Sequence, residues 1–300
     1  MSFLRILVIV VTYNGRKHIE KCLSPLCPGN SQVSVLVVDN GSTDDTPDFI
    51  RERFPGVEVV ETGRNLGFGA ANNMGFEFAL RNGYDYVYLL NQDAWVDPDD
   101  IVRMAEMNGA HPEFGIVSPL QVYDGMVRLD KNFSRKLPSE LINDYVLNVP
   151  LKSDVYEINR MVQAAHWLVS CKVLKKVGGF SPAFFHYGED HNFCHRVMYW
   201  GYKIGLAPSV RGVHDREGRV EAIEKQVLLL TQRWRYYLSD PRVSDLHGIR
   251  MVARSVCSSV PRYRFRLVKP FFSFCQELRQ LLRIKKMTCA PGAFLDDALL

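Results

Sequence analysis

The stretch YVYLLNQDAWVDP, Tyr86–Pro98, decides the fold that we predict for this chain. Its first five residues form an apolar, aromatic run that is typical of a buried parallel strand. The run stops at the polar triplet 91–93, and Pro98 predicts a new helix with Asp97 as its cap. Open α/β sheets bind ligands at the C-terminal ends of their strands. Asp93 is therefore a candidate ligand for a divalent cation, with a simple turn residue as the alternative.

The chain around this stretch alternates between strand-like and helix-like segments. Apolar, β-branched runs at residues 4–11, 33–38 and 57–61 predict three further strands, and helical signals follow each of the four strands. Strands and helices that alternate at this spacing form βαβ units with right-handed crossovers. We therefore predict an α/β fold with a Rossmann-like, mostly parallel central sheet that is flanked by helices.

Polar residues follow three of the predicted strands, in the clusters Thr12-Tyr13-Asn14, Asp39-Asn40 and Asn91-Gln92-Asp93. Parallel strands end at a common edge, so we expect the three clusters to converge. Each cluster alone is ordinary turn chemistry, whereas their convergence indicates a ligand site. Neither GxxxxGK[ST] nor GxGxxG follows the first strand. A nucleotide at this edge would need side-chain contacts and a metal ion for its phosphates.

Composition and charge exclude several classes of protein. No run approaches the roughly 18–20 apolar residues of a membrane span, and no cleavage site follows the short apolar start. The seven cysteines are scattered and form no CxxC pair, which favours a reducing cytoplasm over a disulfide framework. The net charge of +4 is uneven, because residues 241–300 carry 11 Lys and Arg against 4 Asp and Glu.

Six stretches resemble the inverting glycosyltransferases of family 2, which have the GT-A fold, and most closely their bacterial rhamnosyltransferase-like members. They occur in the family order and read VIVVTYNG (8–15), VLVVDNGSTDDT (35–46), RNLGFGAANNMG (64–75), YLLNQDAWVDP (88–98), VGGFSPAFFHYGEDHNFCHR (177–196) and GYKIGLAPSVRGVH (201–214). The resemblance implies a GT-A domain over residues 1–240. Within it, residues 1–118 form a nucleotide-binding half and residues 119–240 an acceptor and catalytic half. A basic helical extension occupies residues 241–300.

The same resemblance assigns roles to individual residues. Asp190 corresponds to the general base that takes a proton from the acceptor, and Glu189 to its acidic companion. Asp93 corresponds to the last aspartate of the family's DXD-type metal motif, and His214 to a histidine near the diphosphate or the metal ion. The other candidates correspond to donor- or nucleotide-binding positions: Thr12, Tyr13, Asn14, Asp39, Asn65, Gly67, Asn72, Asn91, Gln92, Trp167 and Arg233.

Several assignments have structural alternatives. Asn91 stands where the metal motif normally begins with Asp, which leaves Asp93 as the only carboxylate there. His214 is either a metal ligand or a hydrogen-bonded residue at a strand end. Trp167 either stacks on a sugar ring or belongs to the core. Arg233 either contacts phosphates of the donor or acceptor, or faces solvent.

These roles predict an inverting, metal-dependent glycosyltransferase. A direct displacement needs a base on the acceptor side and a cation, Mn²⁺ or Mg²⁺, that stabilises the departing nucleoside diphosphate. The resemblance implies a donor of the dTDP-rhamnose or UDP-hexose type. It implies a glycan or lipid-linked saccharide as acceptor, in the synthesis of cell-surface polysaccharide. The alternatives are a sugar-phosphate nucleotidyltransferase and a non-catalytic module that binds nucleotide or carbohydrate.

The basic C-terminal extension predicts a surface partner. Residues 250–286 interleave Arg and Lys with Phe and Leu, a pattern that suits a helix lying on anionic lipid. The alternative is a packed helix pair or a homodimer contact, and no motif supports nucleic-acid binding. We expect a cytoplasmic protein, with peripheral contact to the inner face of the membrane in the first case. We expect residues 287–300 to be a loosely held end.

Overall fold

The computed structural model describes residues 3–27, 29–125, 128–216, 222–296 and 298, and its centre is a nine-stranded mixed sheet. The strands are β1 (Ile6–Thr12), β2 (Val33–Asp39), β3 (Glu58–Glu61), β4 (Tyr86–Asn91), β5 (Ala94–Trp95), β6 (Phe114–Val122), β7 (Tyr156–Glu157), β8 (His166–Ser170) and β9 (Lys203–His214).

Helices cover both faces of the sheet and form the C-terminal part of the chain. They are α1 (Ile19–Leu23), α2 (Thr46–Arg53), α3 (Phe68–Arg81), α4 (Pro98–Ala110), α5 (Lys131–Ser134), α6 (Ser139–Val146), α7 (Cys171–Val177), α8 (Glu189–Tyr199), α9 (Ile223–Leu238), α10 (Asp245–Tyr263) and α11 (Val268–Met287). Single 3₁₀ turns follow α1, at Ser24–Leu26, and α10, at Arg264–Leu267.

The strand order is β3-β2-β1-β4-β8-β6-β9-β5, and β7 pairs with β9. The first four strands run parallel, and β8 is antiparallel to both β4 and β6. The predicted α/β class, with a central sheet flanked by helices and a helical C-terminal part, is confirmed. Residues 203–214 form one continuous strand, β9, although the apolar runs at 202–207 and 210–214 by themselves predict two short strands. The pairing of β9 with β6 shifts register between Pro119 and Leu120 of β6, and this shift lets β9 continue past Pro208.

The core lies on both faces of β1 and its neighbours, because successive side chains of a strand point to opposite faces. On one face, Leu7 and Ile9 pack with Phe76 and with residues of α7 and α8. On the other face, Ile6, Val8 and Val10 pack with residues of α1 and α4. These five side chains of β1 are all buried. This arrangement explains the unbroken apolar run of β1 and holds the end of the strand, at Thr12, in a fixed place.

A third apolar cluster surrounds Trp234 and joins α9, α10 and α11. After α11 the chain packs back against the helices and loops that flank the β-sheet. Ala293 O accepts a hydrogen bond from Gly179 N (2.9 Å), and Asp296 forms an ion pair with Arg81 (2.9 Å). Leu295 is buried in the core. The expectation of a loosely held end is therefore wrong for residues 288–296. Within the described part of the chain, no helix has both the length and the apolar character needed to cross a bilayer.

Candidate functional site

The ends of β1, β2 and β4 lie side by side, as the sequence predicts. Sheet register places Thr12 opposite Asp39, and Val11 opposite Asn91. The three polar clusters that follow these strands therefore share one edge. Thr12 and Asp39 are buried, and Asn91 is half-buried.

Gln92 joins two of these clusters. Its Oε1 accepts hydrogen bonds from Thr12 Oγ1 (2.8 Å) and from Tyr13 N (2.9 Å). These bonds fix the loop that carries Asp93 to the end of β1. The Tyr13 side chain remains 45% exposed, so its ring is accessible to a flat ligand such as a nucleotide base.

A closed hydrogen-bond network surrounds Asp39. Its carboxylate accepts from Ser42 N (2.9 Å) and from Ser42 Oγ, while Ser42 Oγ also accepts from Asn14 N (2.9 Å). Asn14 has a positive φ of 48°, and its Oδ1 accepts from Thr43 N (2.8 Å). Sequence reasoning missed the role of Ser42, although the turn sequence Asp-Asn-Gly-Ser after a strand is a signal that it could have used.

The loop before α3 contacts the segment before α8. Asn65 Oδ1 accepts from Gly67 N (2.9 Å), and Phe68 N donates to Phe185 O (3.2 Å). Gly67 has φ +85°, and a Cβ there would collide with the same Phe185 carbonyl. Asn72 is buried and donates from Nδ2 to Phe68 O (2.9 Å), so this side chain fixes the first turn of α3.

Asp93 and His214 meet because β5 pairs with β9. The register places Ala94 opposite His214, and His214 Nε2 lies 3.5 Å from Asp93 Oδ1. Both side chains are largely buried, and His214 Nδ1 has no hydrogen-bond partner among the described residues. No group of three or more metal-ligating side chains occurs in the described parts of the chain. A carboxylate and an imidazole nonetheless fit a cation that takes its other ligands from phosphate oxygens and water.

Glu189 and Asp190 begin α8 and differ in protonation. Burial, and next the charge of Asp190, raise the pKa of Glu189 to about 8. Burial acts in the same direction on the pKa of Asp190. However, hydrogen bonds and charge from His191 outweigh it and bring that pKa below its ordinary value. His191 N donates to Asp190 Oδ1 (2.8 Å), and His191 Nδ1 lies 3.1 Å from the same oxygen. At neutral pH Asp190 is thus an ionised carboxylate beside a neutral one.

Helix α9 supports this pair from the other side. The His191 ring stacks on Tyr236 with a centroid distance of 4.4 Å and an interplanar angle of 7°. Burial raises the pKa of Tyr236 to about 12, and Arg233, which is exposed on α9 and contacts this phenol, acts to lower that pKa. Arg233 therefore lies beside Tyr236, which in turn stacks on His191, and its predicted contact with phosphates of the donor or acceptor stays a prediction.

Trp167 belongs to the core and not to the donor site. The residue is fully buried on β8, and its ring stacks on Phe180 at 6.1 Å and lies 5.6 Å from Phe193. No face of the indole is left for a sugar ring. The alternative that the sequence left open, a core tryptophan, is the one that the packing supports.

Lys136 is a charged neighbour of Asp190 that sequence reasoning missed. Its Nζ lies 3.2 Å from Met161 Sδ, and burial lowers its pKa to about 8 while Asp190 acts to raise it. Lys136 and Asp190 are far apart along the chain, and Lys136 lies in the short connection between α5 and α6. No local pattern of residues could have placed them together.

The protonation of Glu189 makes the stability of the protein depend on pH. The folded-state pKa of Glu189 is raised above its unfolded value, so the folded state holds the proton between about pH 4.5 and 8. We expect the free energy of unfolding of the wild type to fall, relative to Glu189→Gln, by up to about 1.4 kcal/mol per pH unit as pH rises through this window.

Denaturant unfolding of both proteins at pH 5, 6, 7 and 8 measures this difference. The variant Glu106→Gln, at an exposed glutamate of α4, controls for the loss of one carboxyl group. Parallel profiles for the wild type and Glu189→Gln would contradict a neutral, buried Glu189.

Comparison with known proteins agrees with this geometry. The family model for glycosyl transferase family 2 matches residues 7–178. An N-acetylglucosaminyl-diphospho-decaprenol L-rhamnosyltransferase of Mycobacterium tuberculosis is 30% identical in an alignment over 235 residues that covers 70% of this chain and 75% of that protein. The rhamnosyltransferase WbbL of Escherichia coli K12 is 22% identical in an alignment over 223 residues that covers 69% of this chain and 82% of WbbL.

Solved structures share the fold. The mannosyltransferase PcManGT from Pyrobaculum calidifontis, determined in complex with GDP-Man and Mn²⁺, superposes with a TM-score of 0.57 at 19% identity. The match covers 95% of this chain and 86% of that one. At this level of identity the likeness shows a common architecture.

Proposed function

The chain belongs to glycosyltransferase family 2, and on that premise we propose that it is an inverting, metal-dependent hexosyltransferase. It moves one sugar from a nucleoside-diphosphate donor to a glycan or lipid-linked saccharide in the synthesis of cell-surface polysaccharide. The observation that carries the proposal is the ionised Asp190 beside the neutral Glu189, in a segment that is hydrogen-bonded to the loop before α3. The rhamnosyltransferase relatives support dTDP-rhamnose as donor, with a UDP-hexose as the alternative.

The edge formed by the ends of β1, β2 and β4 binds the donor nucleotide in this proposal, and we call it the donor edge. The exposed Tyr13 ring stacks on the base, and the network around Asp39 and Asn14 offers fixed acceptors and donors to the base and ribose. Because these side chains are already bonded to one another, little conformational entropy is lost when the nucleotide binds.

Asp93 and His214 hold the divalent cation together with the donor diphosphate. When bound, Mn²⁺ or Mg²⁺ stabilises the negative charge that develops on the departing diphosphate. Because Asp93 is the only carboxylate at this position, a cation held there would take most of its other ligands from diphosphate oxygens and water. Gln92 keeps the Asp93 loop in place through its two bonds to the end of β1.

Asp190 takes the proton from the attacking acceptor hydroxyl. Ionisation at neutral pH is what this task requires, and the hydrogen bond from His191 N fixes the carboxylate within α8. A direct displacement needs no covalent enzyme intermediate, and it inverts the configuration at the anomeric carbon. The name of the M. tuberculosis relative, which acts on a decaprenol diphosphate, supports a lipid-linked acceptor for this chain too.

We propose residues 1–240 as the catalytic domain and residues 241–300 as an extension that contacts the inner face of the membrane from the cytoplasm. Phe265, Val268 and Phe272 are 88, 63 and 66% exposed on one stripe, and Arg266 and Lys269 accompany them. Sedimentation with vesicles of anionic phosphatidylglycerol tests this contact. Equal recovery with and without vesicles would favour a homodimer contact of the same helices instead.

A donor panel tests the function itself. Full-length protein is incubated with dTDP-rhamnose, UDP-glucose, UDP-N-acetylglucosamine and GDP-mannose in Mn²⁺, and mass spectrometry follows release of the nucleoside diphosphate. We expect release from one donor well above the rest. No release of nucleoside diphosphate would favour a binding module. In a parallel incubation with sugar phosphate and nucleoside triphosphate, formation of a nucleotide sugar would identify a nucleotidyltransferase.

A further inference from the structure

A cavity of about 350 Å³ lies between the α5–α6 segment and the chain before β8, next to the start of α8. Its described lining includes three basic side chains, Arg135, Lys136 and Arg160, together with Gln163 and His191, and contains no acidic residue. Neither the donor edge nor the cation site uses any of these side chains. The cavity is therefore an open, positively charged pocket that shares no side chain with those two sites.

The cavity adjoins the catalytic base. His191, which lines it, hydrogen-bonds Asp190 through its backbone N–H. The charge of Lys136 also reaches Asp190 and acts to lower the pKa of that carboxyl. A ligand that fills the cavity would consequently lie beside the group that deprotonates the acceptor.

Two polar groups of the cavity, Lys136 Nζ and Gln163 Oε1, lack strong hydrogen-bond partners of their own. Lys136 Nζ contacts Met161 Sδ, a thioether that is only a weak hydrogen-bond acceptor. Gln163 Oε1 is buried without a hydrogen-bond partner in the part of the chain that the structure describes. Among the described ion pairs, none joins Arg135, Lys136 or Arg160 to a carboxylate. Burial also lowers the pKa of Lys136 to about 8, an effect that a bound anion would reverse.

We propose that this basic cavity binds the diphosphate group of the acceptor and so places the acceptor hydroxyl at Asp190. The inference rests on the proposed glycosyltransferase function, and it adds a binding site for a second diphosphate, distinct from that of the donor. Two arginines and a lysine match the charge of a diphosphate, because guanidinium groups pair with phosphate oxygens in a bidentate way.

The surface beside the cavity favours a lipid-linked diphosphate. Helix α6 begins three residues after Lys136, and it is about 12 Å long at 1.5 Å per residue. Side chains on it and just after it are apolar and exposed: Ile142, Tyr145, Val146, Leu147 and Val149, at 42–76% exposure. A soluble protein seldom exposes such a contiguous run without a partner. A prenyl chain that leaves the cavity would find this apolar surface within its reach.

Titration of two diphosphate probes into the full-length protein tests the inference. Inorganic diphosphate and farnesyl diphosphate are titrated in excess EDTA, which removes the cation on which donor-site phosphate binding depends, and ³¹P NMR measures the dissociation constants. We expect the double variant Arg135→Gln/Arg160→Gln, which changes only exposed side chains, to raise the dissociation constants of both probes by at least ~10-fold. Lys131→Gln, an exposed lysine of α5 outside the cavity, and the cation-site variant Asp93→Asn should match the wild type.

The outcomes separate this inference from its alternatives. Tighter binding of farnesyl diphosphate than of inorganic diphosphate identifies a lipid-linked ligand, and equal affinities identify a soluble phosphorylated one. Absence of wild-type binding, equal binding by the double variant, or an equal loss in Asp93→Asn would each overturn the cavity as an acceptor site. No sugar transfer is measured, so a failed donor panel would refute the proposed reaction without changing this result.

Discussion

Asp190→Asn should lower the turnover number by about 10²–10⁴-fold, the range that a positioned general base contributes. The substitution keeps the shape of the side chain and removes the charge that accepts the proton. Asp190 lies at the start of α8, away from the β1, β2 and β4 ends that bind the donor in our account. The dissociation constant for the donor should therefore stay at the wild-type value. Initial rates and a donor titration on the same preparation measure both quantities.

Two other carboxylates provide the controls. Glu189→Gln copies the neutral form that the raised pKa of Glu189 indicates, so its loss of rate should be much smaller than that of Asp190→Asn. Glu106→Gln, on the exposed face of α4, should be as active as the wild type. If Glu189→Gln lost as much activity as Asp190→Asn, the base would have to be assigned to Glu189 or to the pair.

Removal of divalent cations with EDTA should stop turnover, and Mn²⁺ or Mg²⁺ should restore it. The reason is the negative charge that develops on the leaving diphosphate, which a bound cation would stabilise. Asp93→Asn should raise the Mn²⁺ concentration at half-maximal rate by at least ~10–100-fold, because it removes the carboxylate of the Asp93–His214 pair.

The rate as a function of Mn²⁺ concentration measures this effect. His214→Gln tests the other ligand: a similar rise identifies His214 as a ligand, and an unchanged midpoint leaves it as the hydrogen-bonded strand-end residue that the sequence also allowed. Full activity in EDTA would contradict a catalytic cation at Asp93.

The donor edge was predictable because its parts follow from local patterns. Apolar runs followed by polar triplets placed Thr12, Asp39 and Asn91 at the ends of parallel strands, and strand register then brings them together. Asp93 was found in the same way. The partner of Asp93 across β5 and β9 could be named only from the resemblance, because that pairing joins residues more than 100 positions apart.

The acceptor side was much less accessible to sequence reasoning. Lys136, Arg160 and His191 come from three segments, and only the tertiary fold gathers them around one cavity. The burial of Trp167 was equally undecidable, because a tryptophan suits a sugar site and a core alike. Aromatic packing with Phe180 and Phe193 settles that choice, and these contacts span distant parts of the chain.

The anomeric configuration of the transfer product tests the central claim most directly. The full-length protein, its preferred nucleotide sugar, Mn²⁺ and a prenyl-diphosphate-linked N-acetylglucosamine acceptor are incubated together, and proton NMR of the product reads the coupling and shift of the new anomeric centre. Our account predicts a transferred sugar whose configuration is opposite to that in the donor, with formation dependent on Asp190. A product that retains the donor configuration would contradict it.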